Sequence, residues 1–137
     1  MKPLQATKTV LALAPQASAT TERTALIDTS NASYAKIFIP ISAEANTNST
    51  NVVVDLLHSD DTVVTNFVSL GTNLVDNTAA VVSVLNVNLI GKKKNLRVEV
   101  TPDTTTNGAV VVGSVIAELQ MGTSPDESSS ESAVNFA

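Results

Sequence analysis

The chain contains no cysteine. Disulfides, thiol nucleophiles and thiolate metal sites are therefore excluded, and the fold has to stand on packing or oligomerisation. Tryptophan is absent as well, and Tyr34, Phe38, Phe67 and Phe136 are the only aromatic residues. A core without rings must be filled by valine, leucine, isoleucine and alanine. The same scarcity argues against a carbohydrate-binding or adhesin module, because sugar sites usually offer aromatic platforms. Charged residues make up 15% of the chain, where about 25% is usual, which predicts a surface largely covered by partners. The net charge is -5, and phosphate neutralisation needs basic surface, so nucleic acid is not an expected partner. No apolar run approaches the ~18–20 residues of a membrane span. The opening "MKPLQATKTVLALAPQASA" has the outline of a signal peptide. Its apolar patch, residues 10–14, is shorter than the about 7–15 residues such a segment needs, and Lys8 sits against it. The expectation is a mature arm carrying the first strand.

What is present reads as strands. The 137 residues are 43% hydrophobic, enough for one domain with one core. In "NLRVEV", Leu96, Val98 and Val100 face one way, Arg97 and Glu99 the other. "VLNVNL" puts Leu85, Val87 and Leu89 inward and Asn86 and Asn88 outward. "YAKIFIPI" aligns Ile37, Ile39 and Ile41, with Pro40 marking an edge or a strand end. "NVVVDLLH" aligns Val52, Val54, Leu56 and His58. "GAVVVGSVIAEL" is apolar on both faces and predicts a central or interface strand. "KTVLAL", "RTALID" and "NFVSL" are weaker strands. Between them lie "DTSNAS", "SAEANTNST", "HSDDTVVT", "GTNLVDNT", "IGKKKN" and "TPDTTTNG", all rich in turn residues. A turn of helix is conceivable within "SAEAN" or "NLVDNTAAV". The expected fold is all-β: a jelly-roll-like antiparallel β-sandwich of about eight strands with extended terminal arms. The divisions are an N-terminal arm with the first strand (1–20), the sandwich (21–120) and an acidic, serine-rich C-terminal arm (121–137).

Chemistry-bearing residues are few. "LHSDDTVVTNF" brings together His58, Ser59, Asp60 and Asp61. Adjacent residues of an extended strand point to opposite faces, so His58 and Ser59 diverge where a triad needs convergence. No Gly-x-Ser-x-Gly elbow occurs. One histidine without cysteine makes a poor zinc site. Calcium takes about six to eight oxygens; Asp60 and Asp61 with Asp55 or Asp76 would supply some, but no Asp-x-Asp-x-Asp-Gly loop is present. The expectation is a strand end, an Asp-rich turn and the next strand, with no catalytic, cofactor or metal residue. "GKKKN" lacks the phosphate-loop pattern. It is either a solvated hairpin turn or a basic knob that meets an acidic partner through Lys92, Lys93 and Lys94. Lys2 and Lys8 in the first arm, and Val134 and Phe136 in the last, are the other expected partner contacts. Asn31-Ala-Ser33 and Asn48-Ser-Thr50 match glycosylation sequons by accident of composition.

Four stretches together resemble a family of small structural proteins of tailed bacteriophages, the cement, decoration or head-stabilising proteins that accompany the major capsid protein. They are "ALIDTSNASYAKIFIPI", "VVVDLLHSDDTVVTNFVSL", "VNLIGKKKNLRVEVTPDTTTNG" and "SVIAELQMGTSPDE". The likeness covers roughly residues 25 to 125. It departs from the family at Leu57-His58, where an acidic residue or glutamine is common, at Asn95, where an aromatic is common, and after Thr29-Ser30, where a glycine is expected. The resemblance implies a jelly-roll-like sandwich on the outer face of the capsid that bridges and stabilises neighbouring major capsid subunits. It also implies self-association as a dimer or trimer, and a virion location after assembly in the host cytoplasm. No enzyme activity, cofactor, nucleic acid or membrane enters that expectation. Another phage component of the tail or head-tail region, or a carbohydrate-binding sandwich, is the alternative.

Overall fold

The structure, a computed structural model, describes residues 7–13, 16–18, 23–43, 51–103, 110–121 and 133–136. Among them are β1 (Thr7–Leu13), β2 (Gln16–Ser18), β3 (Arg23–Asp28), β4 (Ala32–Ile41), β5 (Asn51–Ser59), β6 (Val68–Asp76), β7 (Val81–Asn88), β8 (Asn95–Asp103), β9 (Val110–Val112), β10 (Val115–Met121) and β11 (Ala133–Phe136). One 3-10 turn, Val64–Asn66, precedes β6. The larger sheet has the order β1-β10-β4-β7-β11, with β9 beside the end of β4 and β2 beside β9. The smaller sheet has the order β3-β8-β5-β6. The fold is an all-β sandwich.

Period-two patterning builds it. Ile37, Ile39 and Ile41 of β4 meet Val52, Val54 and Leu56 of β5 and Leu96, Val98 and Val100 of β8 in a single apolar cluster. Each of these side chains is fully or almost fully buried. β-branched and leucine side chains fit the pleated, half-buried surface of a sheet, so one layer from each sheet closes the core without aromatic filling.

Three differences from the sequence reading have physical causes. The run expected as one strand over 108–119 breaks at Gly113 and Ser114 into β9 and β10, opposite Pro40. Pro40, expected at an edge or a strand end, lies at a strand end, next to the last residue of β4, which is an inner strand flanked by β10 and β7. "GTNLVD" belongs to β6 and not to a turn. Eight residues of β5, Asn51 to His58, select its pairing, and one extra residue, Leu70, is absorbed as a bulge between Gly71 and Ser69. Finally, Asn86 is buried rather than outward and wet, because β7 is an inner strand covered on both faces. The pairings are antiparallel except for β11, which runs parallel to β7. β11 is far from β7 in sequence and is not joined to it by a hairpin, so nothing forces the antiparallel sense.

Candidate functional site

One end of the sandwich gathers the β3–β4 turn, the β5–β6 loop and the β7–β8 turn. Hydrogen bonds fasten them to each other. The Thr29 amide and the Thr29 hydroxyl both donate to the Lys94 carbonyl, each at 2.7 Å. The Lys93 amide donates to His58 Nδ1 at 3.2 Å. The Asn95 side-chain amide donates to the Asp61 carbonyl at 3.3 Å. The Lys92 amide closes its own turn on the Leu89 carbonyl at 3.0 Å. Local sequence explains these turns. Asn31 adopts a left-handed φ of 64° and Gly91 one of 78°, conformations that asparagine tolerates and glycine adopts without cost.

Asp61 organises the long loop. Its carboxylate accepts the Val63 amide at 2.8 Å and the Asn66 side chain at 2.9 Å. Those bonds favour the charged form, and its pKa falls below the usual carboxylate value. Asp28 does the same for the β3–β4 turn, accepting the Ser30 hydroxyl at 2.6 Å and the Ser30 amide at 2.9 Å. Its pKa is lowered by these bonds first and then by the nearby charges of Lys8 and Lys94. His58 moves down from the ordinary imidazole value, because burial disfavours its charged form and Lys93 and Lys92 repel it, while Asp60 opposes both.

The His58–Asp61 cluster is thus a strand end and a braced loop. His58 and Ser59 are consecutive residues of β5 and project to opposite faces. The Ser59 hydroxyl is buried and accepts the Asp61 amide at 3.2 Å. β6 begins at Val68, after the 3-10 turn. Asp55 is held by the Ser69 hydroxyl at 2.5 Å. Asp76 pairs with Asn51 at the far end of β5, so the four carboxylates are not brought together. Among the described residues no group of three or more His, Asp or Glu side chains is placed to hold a metal ion.

What this end presents is a mixed basic and aliphatic surface. Lys92 and Lys93 are half-buried and Lys94 is exposed. Beside them, Ile90 is 60% exposed on the β7–β8 turn, Val63 and Val64 are 53% and 62% exposed on the β5–β6 loop, and Val68, the first residue of β6, is 57% exposed. Lys8 is exposed on the edge strand β1 and close enough to Asp28 to act on it. Lys2 lies outside the described residues, as do the side chains of Val134 and Phe136, whose backbone forms β11. The sequence reading found the lysines but not the aliphatic residues. The available signal was apolar side chains inside turn segments, in "TVVT" and "LIGK", where a turn offers no core to receive them.

At the opposite end, Pro40, Val81, Val82 and Gly113 line part of a shallow apolar recess of about 380 Å³. Among the described residues that line it none is titratable, and they do not form the convergent polar set of a reaction site.

No family model, no curated protein and no solved structure matches this chain.

Proposed function

We propose that this chain is a structural virion protein of the cement or decoration type. It binds the outer face of a phage capsid, bridges neighbouring major capsid subunits and associates with copies of itself. The observation that carries the reading is the loop end, where three exposed aliphatic side chains (Val63, Val64 and Ile90) and three lysines stand on turns already fastened to each other, with a fourth exposed aliphatic residue, Val68, opening β6 beside them. Exposed aliphatic residues in a patch mark protein contact. Fastened turns lose little freedom on binding, which favours affinity. Lysines beside them suit an acidic protein surface. Repetition over a symmetric shell then converts modest single contacts into avidity. The reading assigns no reaction, cofactor, nucleic acid or membrane to the chain.

The strand order supports the finer fold. With β1 and β2 counted as one strand and β9 and β10 as another, the first eight strands run 1-8-3-6 in the larger sheet and 2-7-4-5 in the smaller. We read this as a jelly roll, the architecture of many capsid domains.

The test is the copy number of the chain in purified particles, by quantitative mass spectrometry against the major capsid protein. A ratio near one, or a simple fraction set by shell symmetry, is expected. A few copies per particle would move the chain to the tail or portal region. Absence from particles would overturn the virion reading in favour of a free binding module.

A further inference from the structure

We propose that His58 is a proton-operated latch on the lysine turn: as a neutral imidazole it anchors the turn through Lys93, and on protonation it releases it. The inference rests on the docking reading of this end, whose adhesion it would make pH-dependent.

The geometry fixes the proton. His58 Nδ1 lies 3.2 Å from the Lys93 amide nitrogen and accepts its hydrogen, so the ring proton sits on Nε2. An imidazolium carries N–H on both nitrogens and has no acceptor left. The Lys93 amide would then face another donor, and the ring or the turn must move.

Neighbouring charges act on the same event. Lys92 and Lys93 on the β7–β8 turn repel a protonated ring, and Asp60 on the β5–β6 loop attracts it. Asp61 is occupied by Val63 and Asn66. Arg97, on β8, is paired with Glu99 at 2.7 Å, and Asp28 and Lys94 are coupled on the β3–β4 side. Burial, then Lys93 and Lys92, lower the pKa from 6.5, so the latch is closed at neutral pH and opens only as pH falls below the ordinary imidazole value. Since the unfolded chain binds this proton more readily, the group leaves stability unchanged well above about pH 6.5. Stability is then lost as pH falls from there through the lower folded value. The release is local. Thr29 still holds the Lys94 carbonyl from two donors and Lys92 still closes on Leu89, so the turn pivots at residue 93 rather than unfolding.

The test uses the full chain in solution. Imidazole nitrogen shifts and the Lys93 amide shift are followed by nuclear magnetic resonance from about pH 8 to about pH 5. The neutral ring should carry its proton on Nε2. The Lys93 amide should shift with the same midpoint as the imidazole, and its exchange relative to an unstructured chain should quicken about fivefold as the bond is lost. His58→Asn places an amide oxygen near the position of Nδ1 and does not titrate, so its Lys93 amide should stay constant across the range. His58→Ala should show the released state throughout. A neutral ring protonated on Nδ1, a Lys93 amide indifferent to the imidazole, or an unchanged titration in His58→Asn would each overturn the latch. Binding to capsid shells lacking the protein then separates the two claims. Weaker binding in mild acid for the unmodified protein, but not for His58→Asn, supports the regulatory role; pH-independent binding by both overturns it. Failure of both to bind at any pH overturns the cement reading, while the spectra still decide the latch.

Discussion

At the scale of single residues, Pro40 and Gly113 form the tightest constraint. In a strand, the amide and carbonyl of one residue point to the same side. The Pro40 carbonyl accepts the Gly113 amide at 2.8 Å, so the amide hydrogen that proline lacks would have faced the same junction. That is where the neighbouring strand breaks between β9 and β10. An inner strand therefore tolerates a proline because its partner pairs around the missing donor. Glycine completes the arrangement: a Cβ at 113 would lie 3.0 Å from the Pro40 Cβ and 3.3 Å from its Cγ. Neither atom belongs to a flexible side chain. Gly113→Ala is expected to lower unfolding stability by about 1–3 kcal/mol, as overpacking does, with little change in the denaturant slope. An unaltered denaturation midpoint would show that the two strands are not this close.

At the scale of elements, legibility followed environment. β5 and β8 were readable because one face is dry and the other is not, so alternation survives in the sequence: Val52, Val54 and Leu56, then Leu96, Val98 and Val100, are buried at every second position. β7 has both faces covered, and the burial of Asn86 could not be inferred from an alternation that assumes a wet face. β6 was obscured by composition. "GTNLVD" has the glycine, threonine, asparagine and aspartate of a turn, yet pairing with β5 overrides that local preference. β11 offers four residues after a serine-rich stretch, and no periodicity can be read from so short a segment. A pair of substitutions checks the β6 assignment. Val75 is 7% exposed and Leu74 is 61% exposed, as successive residues of a strand should be. Val75→Ala is expected to cost about 1.5–3 kcal/mol, and Leu74→Ala within about 0.5 kcal/mol. Equal costs in chemical denaturation would contradict a strand here.

At the scale of the molecule, the sandwich has two unlike ends, and only half of the first was visible in advance. Lys92, Lys93 and Lys94 are consecutive and could be found by inspection. Ile90, Val63 and Val64 belong to two loops that are distant in sequence, and the bonds from Lys93 to His58 and from Asn95 to Asp61 tie those loops to each other. The two parts should act differently in adhesion. The lysines provide a screened, long-range attraction, whose reach shrinks from about 10 Å at 0.1 M salt to about 3 Å at 1 M. The aliphatic residues provide desolvated contact that salt does not weaken. Shells stripped of the protein and titrated with variants would separate them. Lys92→Glu combined with Lys94→Glu is expected to weaken binding at low salt and to converge on the unmodified protein at high salt. Ile90→Asp combined with Val64→Asp should weaken binding at least about tenfold at every salt concentration, since loss of one central apolar contact typically exceeds about 1 kcal/mol. Val82→Asp is the control. Its side chain is 48% exposed at the rim of the opposite recess, so the substitution alters surface hydrophobicity and charge without touching the loop end. If Val82→Asp abolishes binding and the Ile90 and Val64 pair leaves it intact, the recess end faces the shell and the loop end faces outward.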